Sequence, residues 1–307
     1  MNVVGKDFGA KKIFLPQVML SAEAMREAFI KIKERIPADS VSNKGTIVIA
    51  TVKGDIHDLG KNIVSALLEN NGFKVIDLGK DIDKEEIIKV AIDNKADMIG
   101  LCSLMTTTIT QIDEVIAELN KSEYSTKVMI GGAVVTQEYA DMVIMGTSGA
   151  EGWKEALLGT NTGEAITTLV VPVLSVPENA VYTKVDTIGF TTRFRDKDKQ
   201  ALYKTLEIAQ KIDAHVKCLY VKTSKDDVSD AKINEWEKEF SKEKVTFFII
   251  PDDDVLSTID DFVTDQEIDL LLMLTYKRSF CASLFSNSFT EKVANHMAIP
   301  ILALHEE

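Results

Sequence analysis

Short runs rich in Val and Ile alternate with helix-period segments along almost the whole chain, and this alternation leaves few folds open. The first run is Thr46–Val52, followed by a helical stretch from about His57 to Asn70. Lys74–Leu78, a helix over Lys84–Asn94, Asp97–Leu101, a helix near Thr110–Asn120 and Lys127–Gly132 continue the rhythm. Asp141–Gly146, a helix near Thr162–Leu169 and Pro172–Pro177 come next, then a linker over Glu178–Lys184. A second series has strands starting near Thr187, His215, Val245, Asp269 and Ile299. Its helices lie near Lys197–Lys211, Ser229–Lys242, Val255–Asp265 and Phe289–Met297. Strands separated by helices of this length read as βαβ units in a parallel sheet. Such sheets bind ligands at the carboxyl ends of their strands. With 307 residues, two domains of roughly 150 are expected.

Composition removes several function classes. Lys plus Arg is 35 and Asp plus Glu is 48, a formal charge of 35 − 48 = −13. A chain this acidic is poorly suited to neutralising phosphates, so nucleic acid is not an expected partner. No apolar run approaches the ~18 residues of a membrane span, and the N-terminus lacks a signal pattern. Cys102, Cys218 and Cys281 are widely separated and fit neither a metal site nor a disulfide framework. A cytoplasmic protein is the expectation.

The most informative cluster follows the first strand: Gly54-Asp55-Ile56-His57-Asp58-Leu59-Gly60. Asp-x-His-x-x-Gly here puts an imidazole at the strand's carboxyl edge, two residues after a carboxylate. One ring nitrogen can bind a metal while the other donates to the carboxylate. The plainer alternative is a loop histidine near a helix start, with Asp55 or Asp58 as the cap.

Three motifs in order carry a family resemblance. They are Asp55-x-His57-x-x-Gly60, Cys102-Ser103-Leu104-Met105-Thr106-Thr107-Thr108 after the third strand, and Gly131-Gly132 after the fourth. Over about Gly5 to Tyr139 the chain resembles the cobalamin-binding module of methionine synthase and of methanogen-type corrinoid methyl carriers. Phe14-Leu15-Pro16-Gln17 and the helix-period stretch Val18–Ile36 resemble part of that family's helical cap. The resemblance implies a flavodoxin-like doubly wound parallel sheet binding cobalamin with its benzimidazole tail displaced. It implies His57 as the lower axial ligand of cobalt, Asp55 on its other nitrogen, and Thr108 completing the relay. Ser103, Leu104 and Thr106 fall in the same cofactor-binding loop, Gly60 completes the histidine motif, and Gly131 and Gly132 are expected to leave room for the cofactor's nucleotide tail. Cys102 stands where the family usually has serine. The expected cap is truncated, occupying residues 1–38, and leaves the upper cobalt face to water. Methyl transfer in this family uses separate methyltransferase partners, so the expectation is a carrier rather than a complete enzyme.

A second cluster, Gly146-Thr147-Ser148-Gly149, nine residues, then Gly159-Thr160, follows an apolar strand. Glycine-rich backbone ahead of a helix can cradle phosphate. With Pro172–Pro177 it resembles the ATP-binding end of a universal stress protein domain. About Thr187 to His305 resembles a whole second, Rossmann-like α/β domain of that family. There the glycine loop is replaced by Leu274-Thr275-Tyr276-Lys277-Arg278-Ser279, which leaves packing or homodimerisation as that domain's expected role. The first stress-protein strands are replaced by corrinoid-type strands, so ATP binding through Gly146, Gly149, Gly159 and Thr160 is expected to be weak or absent. The chain thus reads as a hybrid joined near Gln137–Asp141, with an engineered chimera favoured over a natural fusion. Expected domains are 1–38, a hybrid flavodoxin-like domain over 39–180 and a stress-protein-like domain over 185–307. The strand at Met142–Met145 is expected beside Val128–Ile130. Trp153 and Trp236 are expected to pack, His215, His296 and His305 to stand outside any site, and Asp252-Asp253-Asp254 to form a loop and helix start, with a weak cation site as the alternative.

Overall fold

The computed structural model describes residues 44–147, 165–166, 168–177, 180, 184–225, 228–275 and 297–305, with a few positions before residue 44. Internal contacts divide the chain into Met1–Tyr139 and Ala140–Glu307. The expected cap over 1–38 and the expected helix at Phe289–Met297 lie almost wholly outside the described residues.

In the first unit the expected rhythm becomes β1 (Thr46–Thr51), α1 (Leu59–Asn70), β2 (Lys74–Asp77), α2 (Lys84–Asp93), β3 (Met98–Cys102), α3 (Thr110–Lys121) and β4 (Lys127–Gly131). The sheet has the order β2-β1-β3-β4 and every pairing is parallel. All six residues of β1 are buried, as a strand covered on both faces requires. Val48, Ala50 and Val52 pack with Ile87, Ile88 and Ala91 of α2 and with Ile112, Val115 and Leu119 of α3. Each such Val or Ile contributes about 1.5–3 kcal/mol by leaving water. Alternation along the strand sends Ile47 and Ile49 to the opposite face, the side on which α1 lies against β1 and β2. Strand order reverses between β1 and β3, so the loops after these two strands open a crevice at the carboxyl edge.

The second unit contains β5 (Val143–Thr147), β6 (Val173–Pro177), β7 (Thr187–Thr191), α4 (Asp196–Ile212), β8 (His215–Lys222), α5 (Asp230–Glu239), β9 (Val245–Pro251), α6 (Val255–Asp265), β10 (Leu270–Thr275) and β11 (Ile301–His305). Its order is β5-β6-β11-β10-β7-β8-β9. β6 and β11 run antiparallel, while the other pairings are parallel. Phe190, Phe194, Tyr220, Trp236 and Phe240 form one core cluster, and Ile259, Phe262, Leu271 and Ile301 belong to another. Trp236 packs edge-on to Phe194, and Asp254 caps α6 by accepting the Ser257 N–H. Both follow the expectation.

One pairing corrects the sequence reading. The strand expected beside Val128–Ile130 is β5, and it pairs instead with β6, from Val143↔Val173 to Thr147↔Pro177. Val143 and Met145 pack against the core of the second unit, and Val143 N–H donates to Pro172 O at 2.9 Å. Among the described residues the first sheet therefore has four strands, and internal contacts divide the chain after Tyr139. An apolar run tells that a strand will be buried but not which neighbour buries it.

Candidate functional site

The loop after β1 turns at Gly54, whose φ of +78° is costly for a residue with a Cβ. Asp55 then points into the protein and is fully buried, whereas the His57 side chain is 46% exposed. Asp55 Oδ1 accepts both the His57 backbone N–H and the His57 ring Nδ1, each at 2.9 Å. Its second oxygen accepts three groups from the loop after β3. These are Leu104 N–H at 2.7 Å, Met105 N–H at 3.2 Å and Thr108 Oγ1 at 2.9 Å. Thr108 Oγ1 lies 2.9 Å from Ser103 Oγ, and both residues are buried. When Thr108 donates to Asp55, Ser103 donates to Thr108, and a directed chain runs from Ser103 through Thr108 and Asp55 to the imidazole.

Burial of Asp55 by itself would raise its pKa, but the hydrogen bonds from His57, Leu104 and Thr108 outweigh it and hold the carboxyl well below the usual range. An ionised Asp55 only accepts, so the network places a proton on Nδ1. Nε2 has no hydrogen-bond partner among the described residues. The arrangement orients a half-exposed imidazole with a carboxylate behind Nδ1, as in a metal-ligating histidine.

The remaining site residues divide by position. Cys102 Sγ lies 3.9 Å from His57 O. Its pKa is pushed up by burial and by the nearby Asp55 charge, so the thiol stays protonated and weakly nucleophilic. Leu104 contributes its backbone, while its side chain is exposed. Thr106 is exposed on the same loop and makes no hydrogen bond to the Asp55 network. At Gly60 and Gly131 an added Cβ would meet nothing within 4 Å. Gly132 differs: its φ is +137° and a Cβ would fall 1.7 Å from Ser103 O, so the two loops approach too closely there for any side chain. Asp58 occupies the N-cap position of α1 without a side-chain capping bond. Gly146 lies in β5, and Gly149, Gly159 and Thr160 are outside the described residues.

Two features escape the sequence reading. Met105 acts through its N–H, which no side-chain pattern announces. Lys61, buried in the first turn of α1, pairs with Asp77 at the end of β2, although a lysine at that position reads as solvated.

Comparison with known proteins places these features in a family. A B12 binding domain model matches residues 45–160, and a second B12 binding domain model matches residues 1–33. Dimethylamine corrinoid protein 3 of Methanosarcina mazei is 45% identical over 171 residues, covering 54% of this chain and 96% of that protein. The crystal structure of the methanol:cobalamin methyltransferase complex MtaBC from Methanosarcina barkeri matches with 40% identity and a TM-score of 0.40. It covers 45% of this chain, and the chain spans 53% of that one, about half its length. A universal stress protein from Archaeoglobus fulgidus matches in fold, with a TM-score of 0.52 at 15% identity. That match covers 86% of this chain and 97% of that one. The chain belongs to the corrinoid proteins, and it joins their B12-binding module to an α/β domain with the fold of a universal stress protein.

Proposed function

We propose that this protein is a corrinoid carrier in which His57, through Nε2, would hold the cobalt of the cofactor. The observation that carries the reading is the Asp55–His57 pair, in which a buried carboxylate accepts from Nδ1 and orients the half-exposed ring. A bound corrinoid would supply a cobalt centre able to accept and hand on a one-carbon group. The chain's own residues bind and orient it. Asp55 holds the imidazole, Thr108 and Ser103 hold Asp55, and the main chain of Leu104 and Met105 ties this network to the loop after β3.

The residues fit such a group on two counts. The donor is an imidazole with a carboxylate behind it, the usual arrangement for a histidine on a metal. The glycines at 60 and 131 border open space that a side chain would enter. Among the described residues around it, Asp55 is committed to five donors and Cys102 is held protonated. We therefore assign the donor and acceptor chemistry to separate methyltransferases acting in the cytoplasm, and a packing or dimerising role to the stress-protein-like unit.

Titration of the purified protein with hydroxocobalamin, followed by visible absorbance, tests the reading. Binding with a spectral change in the original protein, lost or altered in His57→Ala, supports it. An identical spectrum and affinity in the two proteins contradicts it.

A further inference from the structure

The histidine loop is held from two sides, and only one of them is the Asp55 network. On the other side the loop after β2 runs alongside it. β1 and β2 continue to pair beyond their strand ends. Thr51 N–H donates to Gly79 O at 2.9 Å, Ile82 N–H donates to Thr51 O at 3.2 Å, and Val52 and Ile82 form a parallel bridge. At the tip of this extension stands Asp81. Its carboxylate Oδ1 accepts the Gly54 N–H at 2.8 Å, and its own N–H donates to the backbone O of Asp55 at 3.1 Å. The two residues immediately before Ile56 and His57 are thus gripped by one side chain and one peptide group of the same residue.

Asp81 adopts a φ of +58°, a left-handed conformation uncommon outside glycine. That conformation turns its N–H and its carboxylate toward the histidine loop together. Gly54, its partner, also has positive φ, so both sides of the contact use special backbone geometry. Lys53 Nζ lies 3.5 Å from Asp81 Oδ1 and 3.2 Å from Asp83 Oδ2. These side chains are about half exposed, and an ion pair between them contributes little by itself. The directed contacts are the two hydrogen bonds that bracket Asp55.

We propose that Asp81 is a positioning residue for His57. It acts through the backbone of Gly54 and Asp55, fixing where the Asp55 carboxylate lies and hence which ring nitrogen of His57 carries the proton. The proposal rests on the reading of His57 as the cobalt ligand, and it adds a third loop to the two that the Asp55 network already joins. In this arrangement the β2 loop governs the availability of the donor nitrogen without touching the ligand.

Two substitutions separate the carboxylate from the backbone conformation. Asp81→Gly retains access to positive φ and removes the acceptor, whereas Asp81→Asn retains an acceptor oxygen and tolerates the same φ. Nitrogen NMR of the cofactor-free protein reads the His57 tautomer directly. Hydroxocobalamin titration then reads affinity in the original protein, both Asp81 variants and His57→Ala. The expected result is a shift of His57 away from the Nδ1–H tautomer in Asp81→Gly, roughly tenfold weaker corrinoid binding, and near-original behaviour in Asp81→Asn. An Asp81→Gly protein with unchanged tautomer and affinity overturns the proposal. If His57→Ala binds as the original does, the ligand reading fails instead, and the tautomer measurement, which needs no cofactor, still decides the role of Asp81.

Discussion

Lys61 Nζ lies 2.6 and 2.5 Å from the two carboxylate oxygens of Asp77, with the lysine side chain 1% exposed. Asn62 Oδ1 accepts from the same ammonium at 2.7 Å, and Gly79 N–H donates to Asp77 at 2.8 Å. The pair ties the first turn of α1, which follows the histidine loop, to the end of β2. Removing one partner strands a buried charge, at a cost of about 3 kcal/mol for a pair that is not wholly dry. Lys61→Ala is therefore expected to unfold at markedly lower denaturant. Lys61→Met combined with Asp77→Leu is expected to recover most of the loss. Equilibrium urea unfolding of the three variants checks both statements.

Asp55 makes the stability of the first unit depend on pH with a definite sign. Its folded pKa is depressed by the His57, Leu104 and Thr108 hydrogen bonds, so its contribution is present above the unfolded value of about 3.9. That contribution fades as pH falls below this value toward the folded pKa. In Asp55→Asn the contribution is absent at every pH. The unfolding midpoint of the original protein is expected to fall more steeply below about pH 4 than that of the variant. Parallel slopes would show that the carboxylate is not held as described.

Adjacent glycines after β4 are expected to behave oppositely. A Cβ on Gly132 would collide with Ser103 O and require a strained φ, so Gly132→Ala is expected to destabilise by on the order of 3 kcal/mol. At Gly131 a Cβ meets nothing, and Gly131→Ala is expected to change stability by less than about 1 kcal/mol. If the open space there serves the corrinoid, the Gly131 variant binds it more weakly while folding normally. Thermal unfolding and hydroxocobalamin titration, run side by side, separate the two effects.

What could be read from the chain follows from how local each signal is. Asp55 and His57 were legible because spacing and position after a strand define a histidine with a carboxylate behind it, whereas Thr108 came only through the family resemblance. The first sheet was legible because Val48, Ile99 and their neighbours sit in short apolar runs between helices. The partner of β5 was not, because Val143 and Met145 suit any buried parallel strand. Lys61, Asp77 and Asp81 were also hidden. Their roles depend on contacts made across loops and on a left-handed backbone that no local pattern specifies. Gly132 was legible as a required glycine, though the structure locates the reason in Ser103 O.

The central claim is that the imidazole of His57 is the axial nitrogen. Electron paramagnetic resonance of the protein reduced to the cob(II)alamin state reads this directly, because the axial nitrogen splits the cobalt lines. With protein labelled by 15N-histidine and unlabelled cobalamin, the account predicts that the 14N triplet becomes a 15N doublet, and that the doublet vanishes in His57→Ala. A triplet that persists in the labelled protein would assign the axial nitrogen to the cofactor's own base and contradict the account.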